Sequence, residues 1–486
     1  MLAFAMQRTP STRPAGFLPL AIATCLAVML GRDARPAPIL ARSQDQSRFR
    51  VTTFASGLAF PTSMTSLSDG SLLVATNHGG PEAWIGDHYI FTSPSATLVR
   101  LVDADRDGVA DGPGQVVARD LPGLVSSVRR QGALVIAMSA GAGAQAITFW
   151  RTGTSADQPL AAAGRLSLSV PAGYVHPPCA LAVRPAPGGG TELFFNVGGQ
   201  FNAEASAGVI TMSAEGGVTL GGNSQTIPLV AESIERVVIT DNGTALTVTP
   251  PSVVATGLRN AAGLVFGPNG DLYLEDNGID TPGNMGVSLS ADELNVIRAA
   301  DIGVTIPNFG FPGTYVDYAT GATVGTQSGV TPPLIAFRPL AGMKSEGAVE
   351  AALAPIGFPA DFSGGLFVPF SGVFNAGGST NDENPLVFAD PSTGQYFHFM
   401  ETRQMGHPNG VLTLADSLFL SDLNVTGAFG GTASGIPADL NGAIYQISPV
   451  PEPSGLAIVA TTCLCAAGSA LPRLRSRSPG GGPTAV

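Results

Sequence analysis

Five histidines, four cysteines and one lysine limit the chemistry open to this chain of 486 residues. His78, His88, His176, His398 and His407 are scattered, and no His-x-x-x-His, Cys-x-x-Cys or Gly-x-Ser-x-Gly arrangement occurs. Zinc and serine hydrolases therefore lack their basic parts, and no phosphate-binding loop is present. Residues 103–111 read Asp-Ala-Asp-Arg-Asp-Gly-Val-Ala-Asp. Alternating carboxylates with a glycine at the sixth position copy the first half of an EF-hand-type calcium loop. Position twelve, where that loop carries a bidentate Glu, is Gly114, and Asp111 at position nine stands as its substitute. Asp103, Asp105, Asp107 and Asp111 are thus candidate Ca²⁺ ligands, with a plain acidic hairpin turn as the alternative. Among the histidines, His176 in Tyr-Val-His-Pro-Pro is the best base candidate, because a neutral imidazole near pH 7 can accept a proton. An inert histidine in a surface loop is the other reading. Lys344 is the single lysine in a chain that otherwise uses Arg. Codon bias accounts for that, or the position is one that a guanidinium cannot fill.

The elements that must position these residues are short strands. Charged residues are 12% of the chain against about 25% in ordinary globular proteins, while Gly numbers 62 and Pro 39. Hydrophobic content of 44% is enough to bury a core. Few charges and many turn formers argue against bundles and coiled coils. One pattern recurs six times: a turn with Gly or Asp, then an apolar β-favouring run. It begins at Asp69, Gln131, Gly190, Asn269, Gly364 and Asp416. Asp-Gly and Asn-Gly pairs supply the positive φ angles of two-residue hairpins. Six similar hairpins over some four hundred residues predict an all-β, six-bladed β-propeller. Segments 49–54 and 443–447 would pair to close the ring, and insertions between 190 and 365 would lie on one face. A two-sheet sandwich is the competing fold.

One set of segments is more specific. Gly-Leu-Arg-Asn-Ala-Ala-Gly-Leu over 257–264 runs into the fourth hairpin and then Glu-Asp-Asn-Gly-Ile-Asp over 275–280. Asp292-Glu293-Leu294-Asn295 and Asn308-Phe309-Gly310-Phe311-Pro312 follow. This order resembles the soluble glucose/sorbosone dehydrogenase family, six-bladed propellers that use pyrroloquinoline quinone and calcium. The family has Trp where Phe311 stands here. The resemblance implies that Arg259, Asn260 and Lys344 face the cofactor; Arg403 is a weaker cofactor candidate, with a plain surface charge as its other reading. It implies that the carbonyls of Asn277 and Gly278, with Asp292 or Glu293, hold Ca²⁺ through hard oxygen ligands. His176 would then take the proton of a substrate hydroxyl. The alternative for Asp292, Glu293 and Asn295 is a cap that joins two blades.

Both ends read as targeting sequence. Residues 1–46 carry Arg8 and Arg13, an apolar run from 17 to 30, then small residues and proline, the order of a secretory signal. After the body, 47–449, Val450-Pro451-Glu452-Pro453 precedes an apolar segment of 17 residues and then Arg473, Arg475 and Arg477. That length can just cross a bilayer, with the arginines cytoplasmic. Residues 450–486 closely resemble a PEP-CTERM sorting signal, which implies recognition by an exosortase and placement in a Gram-negative-type envelope, periplasmic or at the outer surface. Cys179 alone belongs to the body, so no disulfide framework is available there. The formal charge is −12, and its basic share is enriched at the two ends, so the body repels nucleic acid. Two functions remain: an exported quinoprotein oxidising a sugar or polyol alcohol, or a non-catalytic propeller on the envelope that binds polysaccharide or protein.

Overall fold

In the computed structural model, the described residues are 45–79, 82–85, 88–91, 93, 95–140, 145–221, 226–282, 284–338, 347–372, 385–400, 405–425 and 442–450. They form six antiparallel blades. Blade 1 is Pro61–Ser66, Leu72–Asn77, Ser95–Leu101 and Gln115–Pro122. Blade 2 starts with Leu124–Gln131, Leu134–Ala140, Gln145–Arg151 and Ala161–Ser169, and gains Thr211–Glu215 and Thr226–Pro228 at its outer edge. Blade 3 is built on Leu181–Pro185, Thr191–Val197 and Ser233–Asp241. Blade 4 is Ala261–Phe266, Leu272–Asp276, Asp292–Ile297 and Ile335–Phe337. Blade 5 is Ala352–Leu353, Leu366–Pro369, Leu386–Asp390 and Gln395–Met400. Blade 6 takes Pro408–Leu414, Ser417–Asp422 and Gly442–Pro449 from the C-terminal side. Its fourth strand is the N-terminal Phe49–Leu58, which runs antiparallel to Gly442–Pro449 with Val51 opposite Ile447 and Thr53 opposite Tyr445. The ring closes as the sequence predicts, and closure leaves no long open edge between first and last blade.

Each recurring hairpin is the first hairpin of one blade. Their turns differ from the two-residue expectation. Gly132-Ala133 and Ala415-Asp416 do form two-residue turns. At Ser68-Asp69-Gly70 and Pro268-Asn269-Gly270 three residues are bracketed, and the closing glycine takes φ of 84° and 85°. A third residue lets Asp69 and Asn269 hydrogen-bond the backbone two residues on, which fixes the turn before the glycine reverses it.

The apolar runs are continuous because each blade is buried on both faces. Along the second strand of blade 1, Leu72 and Val74 pack toward blade 6, while Leu73 and Ala75 pack toward blade 2. Among the described residues six apolar clusters result, one at each junction between neighbouring blades. The blade 5/6 cluster is the most aromatic, with Phe49, Phe362, Phe367 and Phe399 meeting mostly edge to face.

Polar groups repeat as well. In blades 3, 4 and 6 an Asn or Asp at the end of the second strand accepts two consecutive N–H groups that lead into the first strand. Asn196 takes Cys179 and Ala180, Asp276 takes Arg259 and Asn260, and Asp422 takes Gly406 and His407. Glu350, at the start of blade 5, accepts from Ser63 of blade 1, Arg129 of blade 2 and the Val411 amide of blade 6. One buried carboxylate thereby ties four blades.

Candidate functional site

The loops leading into blades 3 and 4 carry His176 and Arg259, and a glycine turn knits them together. Gly199 donates its N–H to the Arg259 carbonyl at 2.6 Å, and its carbonyl accepts from the His176 amide at 3.2 Å. Gly198 accepts the Tyr174 hydroxyl at 2.7 Å. A Cβ at Gly198 would lie 2.6 Å from the His176 carbonyl and 2.9 Å from that of Arg259, so only glycine permits this approach. His176 is buried rather than a surface residue, with 7% exposure. Its Nδ1 lies 3.1 Å from the Gly199 carbonyl. A carbonyl only accepts, so Nδ1 is the donor in this contact. Phe311 packs against the same turn, its ring 3.1 Å from where a Cβ of Gly199 would stand.

Arg259 is held on several sides. Its Nε donates to the Asn202 carbonyl at 2.9 Å and its Nη2 to Asn202 Oδ1 at 2.8 Å. Nη2 also pairs with Asp280 Oδ2 at 2.8 Å. Neither Asn202 nor Asp280 stands out in the sequence as a partner of Arg259, since they lie 57 and 21 residues away. Asn260 follows Arg259 and donates from its side chain to Asn277 Oδ1 at 2.8 Å.

The carboxylates of blade 4 lie beside this pair. Asp276 and Glu293 are directly opposite one another on adjacent strands. Like charges so placed repel, and both are buried. Burial pushes Asp276 up to about 7, against its two backbone donors. Burial and then the Asp276 charge push Glu293 up to about 8. Burial raises Asp292 to about 6, although Gly278 N–H at 2.7 Å and Ala348 N–H at 3.3 Å favour its charge. Asp292 therefore caps the Gly278 loop and joins blade 4 to blade 5. Glu275 is fully buried and is pushed well above the usual range by burial and by Asp292. Its Oε2, and Oδ1 of the equally buried Asn295, have no hydrogen-bond partner. Asn277 donates to the Ala348 carbonyl at 2.6 Å, and a Cβ on Gly278 would strike the Ser290 carbonyl at 2.3 Å.

The structure thus brings His176, Arg259, Asn260, Asn277, Gly278, Asp292 and Glu293 into one connected group. Asp103, Asp105 and Asp107 form a second group on blade 1, each placing an oxygen within 4.8 Å of the others. Asp111 accepts the Ala104 amide at 2.6 Å, and Asp103 accepts those of Asp107 and Gly108. Lys344 and Arg403 fall outside the described residues, as do the apolar segments of both termini. Among the described residues no helix is long and apolar enough to cross a membrane. His407 and Cys179 serve the scaffold: buried His407 contacts the Ser371 carbonyl through Nδ1 at 2.7 Å, and burial pushes the Cys179 thiol up to about 12.

The architecture is shared with solved propellers. The PQQ domain of pyranose dehydrogenase from Coprinopsis cinerea, in its holo form, superposes with a TM-score of 0.51 at 14% identity. The match covers 86% of this chain and 99% of that one. The PQQ-bound aldose sugar dehydrogenase of Streptomyces coelicolor gives 0.49 at 17% identity, over 83% and 99% of the two chains. At 14% identity the likeness to the pyranose dehydrogenase domain shows the fold and no more. No protein-family model matches the chain, and no curated protein matches it either.

Proposed function

We propose that this chain is an exported quinoprotein-like dehydrogenase that oxidises a sugar or polyol alcohol with pyrroloquinoline quinone and Ca²⁺. The observation that carries the reading is the direct linkage of His176 to Arg259 through Gly198 and Gly199, beside carboxylates too numerous for their burial. The donor set suits calcium. Asp292 or Glu293 offers a hard oxygen whose charge burial opposes and a divalent cation would relieve, while among the described residues only Asp103, Asp105 and Asp107 bring three carboxylates within 4.8 Å of one another. Asn277 and Gly278 border the blade 4 acids. Asp103, Asp105, Asp107 and Asp111 would hold a second, structural Ca²⁺ in blade 1. Arg259 and Asn260 suit an anionic cofactor, with Lys344 and Arg403 as further cations.

The quinone supplies, when bound, a two-electron acceptor that the twenty side chains lack. The protein's own part is proton handling and exclusion of water. His176 Nε2 takes the proton of the substrate hydroxyl, and the Gly199 carbonyl holds the ring in the tautomer that leaves this nitrogen basic. The test is a titration of the full chain with the quinone and Ca²⁺, followed by dye reduction with a panel of sugars. Binding with turnover, and turnover lost in His176→Gln while binding persists, is the expected result. No change in quinone absorbance on adding protein refutes the reading.

The second reading, a non-catalytic envelope propeller binding polysaccharide or protein, is favoured by one observation. The guanidinium of Arg259 is already neutralised by Asp280. Export, and exosortase processing of residues 450–486 with passage through the membrane, complete the proposal. Deleting Pro451, Glu452 and Pro453 should change fractionation or the mass of the mature chain.

A further inference from the structure

The ion pair between Arg259 and Asp280 has an unequal exposure. The arginine side chain is 4% exposed and the aspartate 25%. Solvent, and any solute arriving from it, therefore meets the carboxylate before the cation. Asp280 sits on the short strand Asp280–Thr281, which pairs with Asn284–Ser288 in a hairpin inserted between the second and third strands of blade 4. That hairpin is pinned to blade 3 by its backbone. The Asp280 amide donates to Asn202 Oδ1 at 3.1 Å, and its carbonyl accepts from Asn202 Nδ2 at 2.9 Å. Asn202 gives the same guanidinium two more acceptors. The hairpin is thus anchored through the Asp280 backbone, and the Asp280 carboxylate pairs with Arg259.

We propose that Asp280 is a resident counter-ion that sets the affinity of this site for anions, so that an anionic ligand reaches Arg259 only by displacing it. For the quinone cofactor the inference rests on the function proposed above, but the displacement itself concerns any carboxylate. A guanidinium binds one carboxylate bidentately through parallel N–H groups. The Asn202 carbonyl, Asn202 Oδ1 and Asp280 already use the Nε and Nη2 side of that fork. An incoming dicarboxylate exchanges one anion for another and gains only the difference between the two contacts. The site is therefore selective for ligands that bring more than one anionic group, since a single carboxylate does no better than Asp280. Release of the Asp280 carboxylate leaves the two backbone bonds to Asn202 in place.

Asp280→Asn keeps the shape and the backbone anchors and removes the competing charge. Two probes are used on the full chain, pyrroloquinoline quinone followed by absorbance and oxalate followed by calorimetry. Oxalate is a dianion with no quinone. The expected result is that Asp280→Asn tightens oxalate by about tenfold, and that the double variant with Arg259→Gln loses the gain. Equal tightening in the double variant overturns the inference, because the gain would not pass through Arg259. No tightening of oxalate in Asp280→Asn overturns it as well, whether or not the quinone binds. Tightened oxalate with no quinone binding upholds the counter-ion and refutes the dehydrogenase reading. Tightening of both probes supports the two together.

Discussion

Blade 1 and blade 4 each gather carboxylates in a short stretch of chain, and the two stretches behave in opposite ways. In residues 103–111 the acids are mostly exposed, and their oxygens are satisfied by amides of the same loop, such as Asp107 and Gly108 on Asp103. Local N–H groups of the same loop meet these carboxylates. In blade 4, Glu275, Asp276, Asp292 and Glu293 are all buried, and their carboxyls are driven upward by desolvation and by one another. Residue type is the same, but surroundings decide whether a carboxylate is a turn former or a store of repulsion. The first region's acids are met by amides of their own loop, whereas the second region's charges are opposed by burial.

The sharpest way to break this contrast is Asp276→Ala. It strips the acceptor from the buried Arg259 and Asn260 amides, and the cost should be about 3 kcal/mol, read from denaturant midpoints. Asp105→Ala, in the exposed loop, should stay within about 0.5 kcal/mol. Equal losses would end the distinction. Asp276→Asn keeps an acceptor and removes the repulsion with Glu293, so it should recover most of the loss at pH 8.

The next effect is pH dependence without added metal. The folded-state pKa of Asp276 is raised to about 7 and that of Glu293 to about 8. Groups raised on folding contribute stability that is full below their unfolded values, near 4, and is lost as pH rises through 7 to 8. Tm should therefore fall across that window, and Glu293→Gln should flatten the fall. Added Ca²⁺ should raise Tm more at pH 8 than at pH 6, because its ligands must be ionised. A gain independent of pH would place the ion elsewhere.

Acid reveals a limb of the opposite sign. His398 is buried, and desolvation lowers it to about 4 from 6.5. A histidine lowered on folding contributes stability that is present above pH 6.5 and lost as pH falls toward 4. That limb is worth about 3 kcal/mol. His398→Gln should remove it and leave the alkaline fall of blade 4 intact. If the acid limb persists in this variant, another group carries it.

What the sequence discloses follows from distance along the chain. The six hairpins are legible because turn chemistry and apolar runs are local, and the closing pair 49–54 with 443–447 is legible because only it lacks a neighbour. The two extra strands on blade 2 escape because Thr211–Glu215 and Thr226–Pro228 are short and partly exposed, with little periodicity to read. At the site, Arg259, Asn260 and His176 are legible through motif order. Asn202 and Asp280 are not, since their claim on Arg259 is a tertiary contact with no spacing rule. The capping acids could have been found: Asp276 and Asp422 occupy matching places at the ends of the fourth and sixth hairpins.

The smallest effect tests the blade 1 loop by itself. Asp103, Asp105 and Asp107 are close enough to share an ion, yet their backbone bonds already order the turn. A cation there adds ordering energy only by the excess of its binding over those bonds, so millimolar Ca²⁺ should stabilise by about 1 kcal/mol or less. That increment should be the same at pH 6 and pH 8, in contrast to the increment of blade 4. Asp105→Asn should abolish it without touching the larger, pH-dependent increment of blade 4, and Glu293→Gln should do the reverse. If Asp105→Asn instead removes the pH-dependent part, the two acidic regions share one ion response, and the contrast between a self-satisfied loop and a repelling core fails.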